Sequence, residues 1–181
     1  MKTLAEIFNP DARQAALVTL DVGRWRAMEV RDYHKLLDAV RVTDTAPEAV
    51  LEQFEVARDL MLYGWFVYEF YTVASHHAYT CLEFGLREAC KVLAGEGNPC
   101  KEVKMARGLG CYLTYLKRKG VIPDGRYDKA IEMVVPMLRN DHAHGSNTLL
   151  NYALAMPTLE IVADLLYVVF GSEKVSGHCQ T

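Results

Sequence analysis

Residues 138–146 gather the side chains in this chain that are best equipped for chemistry. Their sequence is Leu-Arg-Asn-Asp-His-Ala-His-Gly-Ser, and it follows an apolar run at residues 131–138. An apolar run that ends in polar residues and a glycine predicts the C-terminal end of a helix. On such a helix Asn140 and His144 share a face, and the long side chain of Arg139, about 100° further round, can reach the same point.

These side chains suit the cleavage of a phosphodiester bond in RNA. Attack by the 2′-hydroxyl needs a base, departure of the 5′-oxygen needs an acid, and the extra negative charge needs a fixed cation. Histidine, with a reference pKa of about 6.5, exchanges protons near neutral pH, and the arginine fork matches two phosphate oxygens. We therefore predict His144 as base or acid, Arg139 as electrostatic stabiliser and Asn140 as a positioning donor.

The order Arg139-Asn140-x-x-x-His144 followed by Gly145 resembles the arginine, polar residue, spacer and histidine motif of the HEPN domain. The predicted helices around it, over roughly residues 50–170, are similar in order to those of that family. The resemblance implies an all-α bundle of five or six helices and a ribonuclease that needs no metal or other cofactor. It also implies a two-fold homodimer whose motifs face one groove, RNA as substrate, and a toxin or defence role with an antitoxin or regulatory protein as partner.

A polar stripe on the helix before the motif offers supporting residues. The stripe consists of six polar residues at helical spacing on a helix whose other residues are mostly apolar: Glu69, Thr72, His76, Thr80, Glu83 and Arg87. In one interpretation the stripe lines the site, and His76 or Glu83 orients His144 or Arg139 through a hydrogen bond. Asp141 is predicted as a further supporting residue. In the other interpretation the stripe is the solvent-exposed face of the helix, and Glu83 and Arg87 form an ion pair four residues apart. His77, on an apolar face, is predicted to be a hydrogen-bonded core histidine.

A basic stretch precedes the motif. Residues 101–129 carry eight positive and three negative side chains, a net charge of +5, although the whole chain has a net charge of −3. Lys117, Arg118 and Lys119 are its densest part and are predicted to bind the RNA backbone. The alternative is a helix end at which these three charges complement the negative end of the helix dipole.

Two other functions fit parts of the same sequence. A metal site from Asp141, His142 and His144 with His76 or His77 lacks the i,i+4 histidine pair of a helical zinc motif, so no metal is predicted. The stronger rival is a non-catalytic helical module that binds nucleotide, nucleic acid or a protein partner. In that case Arg139 and His144 would be a hydrogen-bond network at a helix end.

Composition indicates one ordinary globular domain. The chain has 181 residues, 51% of them hydrophobic and 24% charged, which predicts a single domain over residues 1–181 with a core at about 24–170 and a frayed tail at 171–181. Five cysteines without a C-x-x-C pair are expected to be reduced thiols. No membrane-spanning run and no secretory signal is expected, so the protein is predicted to be cytoplasmic.

The elements that would position the motif follow from periodicity and breakers. No strand is predicted, and a short helix is expected within residues 10–20. Longer helices are predicted at residues 23–42, 47–94 with a break at Gly64, 101–119, 127–144 with a kink at Pro136, and 158–170. Gly120 is expected to follow the helix at residues 101–119 as its C′ residue.

Overall fold

The structure is a computed structural model that describes residues 2–123, 125 and 149–177. A 3-10 turn at Ala12–Ala16 and a β-hairpin, β1 (Val18–Asp21) and β2 (Arg24–Ala27), come first. Seven helices follow in the described residues, and their bounds are α1 (Val30–Asp38), α2 (Glu48–Tyr63), α3 (Phe70–Ala94), α4 (Pro99–Glu102), α5 (Leu109–Arg118), α6 (Tyr152–Gly171) and α7 (Glu173–Ser176). The chain is therefore mostly helical, as the sequence predicts, with one small sheet that it does not predict.

The short helix expected within residues 10–20 is present as the 3-10 turn at Ala12–Ala16, but the hairpin replaces the first part of the helix predicted at residues 23–42, which begins only at Val30. The strands of the hairpin are joined by Val22 and Gly23, both with positive φ, at 45° and 76°. Two consecutive left-handed residues form the type of two-residue turn that matches the twist of a hairpin. Valine rarely adopts this conformation, so the sequence gives little warning of it. Arg26 then fixes the hairpin to α1 through a 2.6 Å ion pair with Asp32.

Helix α3 is the central element of the bundle. It packs against α2, α5 and α6, and the small residues of its inner face, Ala74, Ala78, Gly85 and Ala89, are all buried. A Cβ built on Gly85 would lie 2.6 Å from Cδ2 of Leu166 and 3.3 Å from Cγ1 of Val50. The small residues therefore let α2 and α6 pack closely against α3. The predicted break at Gly64 is confirmed, since α2 ends there and α3 begins at Phe70.

The helix predicted at residues 101–119 is divided in two. Pro99 opens the short helix α4, Lys104 has a positive φ of 56°, and α5 begins only at Leu109. A disulfide bond joins Cys100 to Cys111, so the expectation that all cysteines are reduced was wrong. Cys81 and Cys90 are free and buried. Gly120 has a φ of 67°, which confirms its predicted position after the end of α5.

Helix α6 begins earlier than predicted, because the side chain of Asn151 caps it by accepting a hydrogen bond from the N–H of Leu154. Pro157 therefore lies inside the first turns rather than before them. By length and composition α6 is the one helix among the described residues that could cross a membrane, although Glu160 and Asp164 interrupt its apolar sequence. In the structure 56% of its apolar window is buried, and it packs on α3 and α2 as a core helix.

One hydrophobic core connects the helices, and it extends past the predicted limits. Its large inaccessible side chains include Tyr33, Phe54, Leu82, Leu116, Leu159 and Phe170. Val175 of α7 is fully buried as well, so the predicted frayed tail is ordered as a helix at Glu173–Ser176. The hairpin lies at the surface, and one of its faces exposes Val18, Leu20 and Trp25.

Candidate nucleic-acid interface

The predicted catalytic residues Arg139, Asn140 and His144 lie outside the described residues, as do Asp141 and His142. Their predicted roles therefore stay predictions. The kink predicted at Pro136 falls in the same segment. What the structure does describe is the chain on either side of it and the supporting residues on α3 and α5.

The chain re-enters the described part of the molecule against the polar stripe of α3. The backbone N–H of Leu150 donates a 2.9 Å hydrogen bond to Oγ1 of Thr72, and the side chain of Leu150 is buried. Thr72 lies one helical turn before His76 on the same stripe. The residues that follow the motif are thus anchored beside one of its predicted supporting residues.

His76 and Glu83 are both exposed on α3 and are separated by about two helical turns. Glu83 lines a groove of about 510 Å³ between α2 and α3, together with Glu52, Phe84 and Arg87. The predicted Glu83–Arg87 ion pair does not form. Nε of Arg87 lies 3.3 Å from Oε1 of the adjacent Glu88, and its guanidinium lies over the Phe84 ring at 5.2 Å. Within the described part of the chain, the side chains of Glu83 and His76 form no ion pair and no hydrogen bond.

His77 is the histidine for which sequence predicts a hydrogen bond in the core. The structure leaves it partly buried, and its Nε2 atom is inaccessible with no hydrogen-bond partner among the described residues. The predicted partner is therefore not found in this part of the chain.

Lys117, Arg118 and Lys119 end α5, where their charges face the negative end of the helix dipole. Nζ of Lys119 pairs with Oε1 of Glu102 at 2.9 Å, and this hydrogen bond raises the pKa of Lys119. The same ammonium group lies 5.0 Å from the centre of the Tyr115 ring. Arg118 is exposed, whereas Lys117 is partly buried. Lys119 is thus already partnered within the protein.

The structure assembles a second basic cluster that sequence reasoning did not identify as a site. Arg87 and Lys91 from α3 meet three cations from the connection between α4 and α5: Lys101, Lys104 and Arg107. The last three were predicted as part of a basic stretch, and Arg87 as half of a salt bridge. The i,i+4 spacing of Arg87 and Lys91, which puts both on one helical face, was the available signal.

Metal ligation can be judged only within the described ranges. There, no group of three His, Cys, Asp or Glu side chains lies close enough to hold a metal ion. The rival metal site would draw on Asp141, His142 and His144, which lie outside those ranges.

The fold and its surface define a mostly helical bundle with an N-terminal hairpin and a basic face formed by the ends of α3, α4 and α5. Comparison of the chain with protein-family models, with curated proteins and with solved structures gave no match.

Proposed function

We propose that this protein is a HEPN-like, metal-independent endoribonuclease that cleaves RNA by acid–base chemistry. The observation that carries the proposal is the sequence Arg139-Asn140-x-x-x-His144-Gly145, which places a cation, an amide and an imidazole within one and a half helical turns. A cytoplasmic homodimer acting as a toxin or defence effector, held in check by an antitoxin or regulatory protein, is the setting that we propose for this activity.

The helical surroundings support the proposal. Long helices precede the motif in the sequence, a further long helix follows it, and the basic end of α5 lies on the chain shortly before it. The anchor between Leu150 and Thr72 ties the other end of the segment to the stripe that carries His76. An RNA-cleaving site needs positive charge nearby to hold the phosphate backbone and polar side chains to orient its catalytic groups, and the end of α5 and the polar stripe of α3 can supply them.

The proposed reaction divides proton transfer between two imidazoles. His144 of one protomer takes the proton of the 2′-hydroxyl as its oxygen bonds to phosphorus. The P–O5′ bond breaks, and His144 of the second protomer gives a proton to the departing 5′-oxygen. Arg139 balances the charge on the phosphate oxygens, and Asn140 donates a hydrogen bond that positions the group. The products are a 2′,3′-cyclic phosphate and a 5′-hydroxyl.

The test is cleavage of a mixed-sequence RNA by the purified full chain with EDTA present. General acid–base catalysis contributes about 10² to 10⁴ in rate, so His144→Ala should reduce cleavage by at least that factor. Arg139→Ala should do the same because it removes the charge stabilisation. His142→Ala is the matched control, a neighbouring histidine on a different helical face, and should keep most of the activity.

The rival is a non-catalytic binding module, and the basic cluster at Lys101, Lys104 and Arg107 is the observation that favours it. That cluster is formed by described residues and needs no motif residue. Wild-type protein that binds RNA without cleaving it, or a His144→Ala variant that cleaves normally, would replace the ribonuclease with the binding module. A strictly monomeric protein in sedimentation experiments at tens of micromolar would rule out the two-protomer site.

A further inference from the structure

The basic cluster surrounds a pocket of about 610 Å³ between the C-terminal half of α3 and the connection from α4 to α5. No Asp or Glu side chain from the described ranges lines the pocket. Five of its lining side chains are cations: Arg87, Lys91, Lys101, Lys104 and Arg107. Pockets that bind small ligands are usually about 300 to 1,000 Å³, so the volume suits a molecule of nucleotide size.

Most of this positive charge is not neutralised within the described part of the chain. Among the described residues, Glu88 is the one carboxylate within ion-pair distance of the cluster, and it is shared by Lys91 at 2.7 Å and Arg87 at 3.3 Å. Glu83 acts on Arg107 electrostatically from a longer distance. Neither Lys101 nor Lys104 has an ion-pair partner among the described residues. The pocket is therefore an electropositive concavity, which attracts anions.

The wall that carries Lys101, Lys104 and Arg107 is held in place by the fold. The side chain of Asn98 accepts hydrogen bonds of 3.1 Å from the N–H groups of Cys100 and Lys101, and the disulfide bond fixes α4 to α5. Nε of Arg107 donates a 3.2 Å hydrogen bond to the buried Tyr112 hydroxyl. A cation held in advance loses less conformational freedom when a ligand binds.

We propose that this pocket binds a diphosphate or triphosphate group, carried by a free nucleotide or by the 5′ end of an RNA. The two planar guanidinium forks suit paired phosphate oxygens, and the three lysines add compact positive charge. Adjacent phosphates place several negative charges within one pocket, whereas a single carboxylate offers one. Met105, which is 44% exposed, and Pro99 at the rim offer apolar surface for a ribose or base. The site consists only of described residues and does not depend on the proposed ribonuclease activity.

Binding is tested by calorimetry with the full chain carrying His144→Ala, which removes the proposed cleavage from the measurement. The probes are inorganic pyrophosphate, ADP, and one short RNA with either a 5′-triphosphate or a 5′-hydroxyl. Lys101→Gln with Lys104→Gln should weaken pyrophosphate binding at least tenfold. Both side chains are exposed, so circular dichroism should show an unchanged fold.

The matched control is Arg24→Gln with Lys35→Gln, which removes the same two charges from exposed positions on β2 and α1. It should change binding less than twofold. Tighter binding of ADP than of the 5′-triphosphate RNA would identify a free nucleotide as the ligand, and the reverse order would identify the RNA end. The proposal is overturned if the protein with an unchanged pocket binds no pyrophosphate at millimolar concentration in low salt. It is also overturned if both double variants lose binding equally, or if the 5′-hydroxyl RNA binds as tightly as the 5′-triphosphate RNA.

Failure here leaves the ribonuclease proposal standing, because that depends on Arg139 and His144. Conversely, RNA cleavage by a Lys101→Gln, Lys104→Gln protein that keeps His144 would show that the motif works without a ligand in the pocket. Arg107→Gln tests the pocket with a second variant. It removes a different cation and should also weaken pyrophosphate binding.

Discussion

The hydroxyl of Tyr33 on α1 donates a 2.7 Å hydrogen bond to the backbone carbonyl of Met61 on α2, and both side chains are completely buried. The Tyr33 ring also stacks on Trp65 and meets the edges of Tyr71 and Tyr152. One aromatic side chain therefore joins the short first helix to the rest of the bundle.

Tyr33→Phe should lower the free energy of unfolding by about 1 kcal/mol in denaturant titrations. The loss is small because the Met61 carbonyl also accepts a hydrogen bond from the N–H of Gly64, so it is not left unpaired. Tyr33→Ala would remove the ring as well and should cost about 3 to 5 kcal/mol. Equal losses for the two variants would contradict the separate roles of hydroxyl and ring.

Alkaline pH should destabilise the fold through the same aromatic cluster. Burial raises the pKa of Tyr71 to about 12 and also raises the pKa of Tyr33. The unfolded chain releases these phenolic protons near pH 10, as the reference pKa of tyrosine is about 10, whereas the folded chain keeps them. The stabilisation is complete below pH 10 and is lost as the pH rises towards 12. Denaturation midpoints should fall over this interval, and less steeply in Tyr33→Phe.

Gly85→Ala should destabilise the bundle by about 1 to 3 kcal/mol, since its Cβ would overlap Leu166 across the junction of α3 and α6. Gly171→Ala is the control, because a Cβ there meets no atom within 4 Å. The control variant should be neutral or slightly stabilising in thermal unfolding. A Gly85→Ala protein that melts with the wild type would argue against the close packing of these helices.

The disulfide bond gives a direct chemical test. Trypsin can cut after Lys101 and Arg107, so an unreduced digest should contain the peptides of residues 92–101 and 108–117 as one linked mass that reduction separates. Cys100→Ala should cost about 3 kcal/mol for a loop of this length. Free thiols at both positions in protein purified without reductant would restore the prediction of reduced cysteines.

Neutralising the end of α5 should weaken RNA binding. Replacing Lys117, Arg118 and Lys119 by glutamine is expected to reduce the slope of log K against log salt by up to about two to three. Measurement on the His144→Ala background avoids cleavage, and Arg24, Arg31 and Lys35 changed to glutamine provide the charge-matched control. If only Arg118 contacts RNA, because Lys119 is engaged by Glu102, the slope should change by about one.

The mostly helical character of the chain and the helix ends at Gly64 and Gly120 could be predicted from the sequence, because periodicity and breakers act locally. Helix α2 ends at Gly64, and Gly120 has a positive φ after the end of α5. The small residues of α3 lie on its buried face. The motif at Arg139 and His144 is likewise a local pattern, so its chemistry can be predicted without a fold.

Other features depend on residues that are distant in the chain, and only the tertiary structure decided them. Cys100 and Cys111 pair because α4 turns back onto α5 at Lys104, whose positive φ a lysine seldom adopts. Arg87 of α3 and Arg107 line the same pocket because α3 packs against the connection between α4 and α5. Charges at separate places in a sequence become one pocket when helices that bury their apolar faces fix the distance between them.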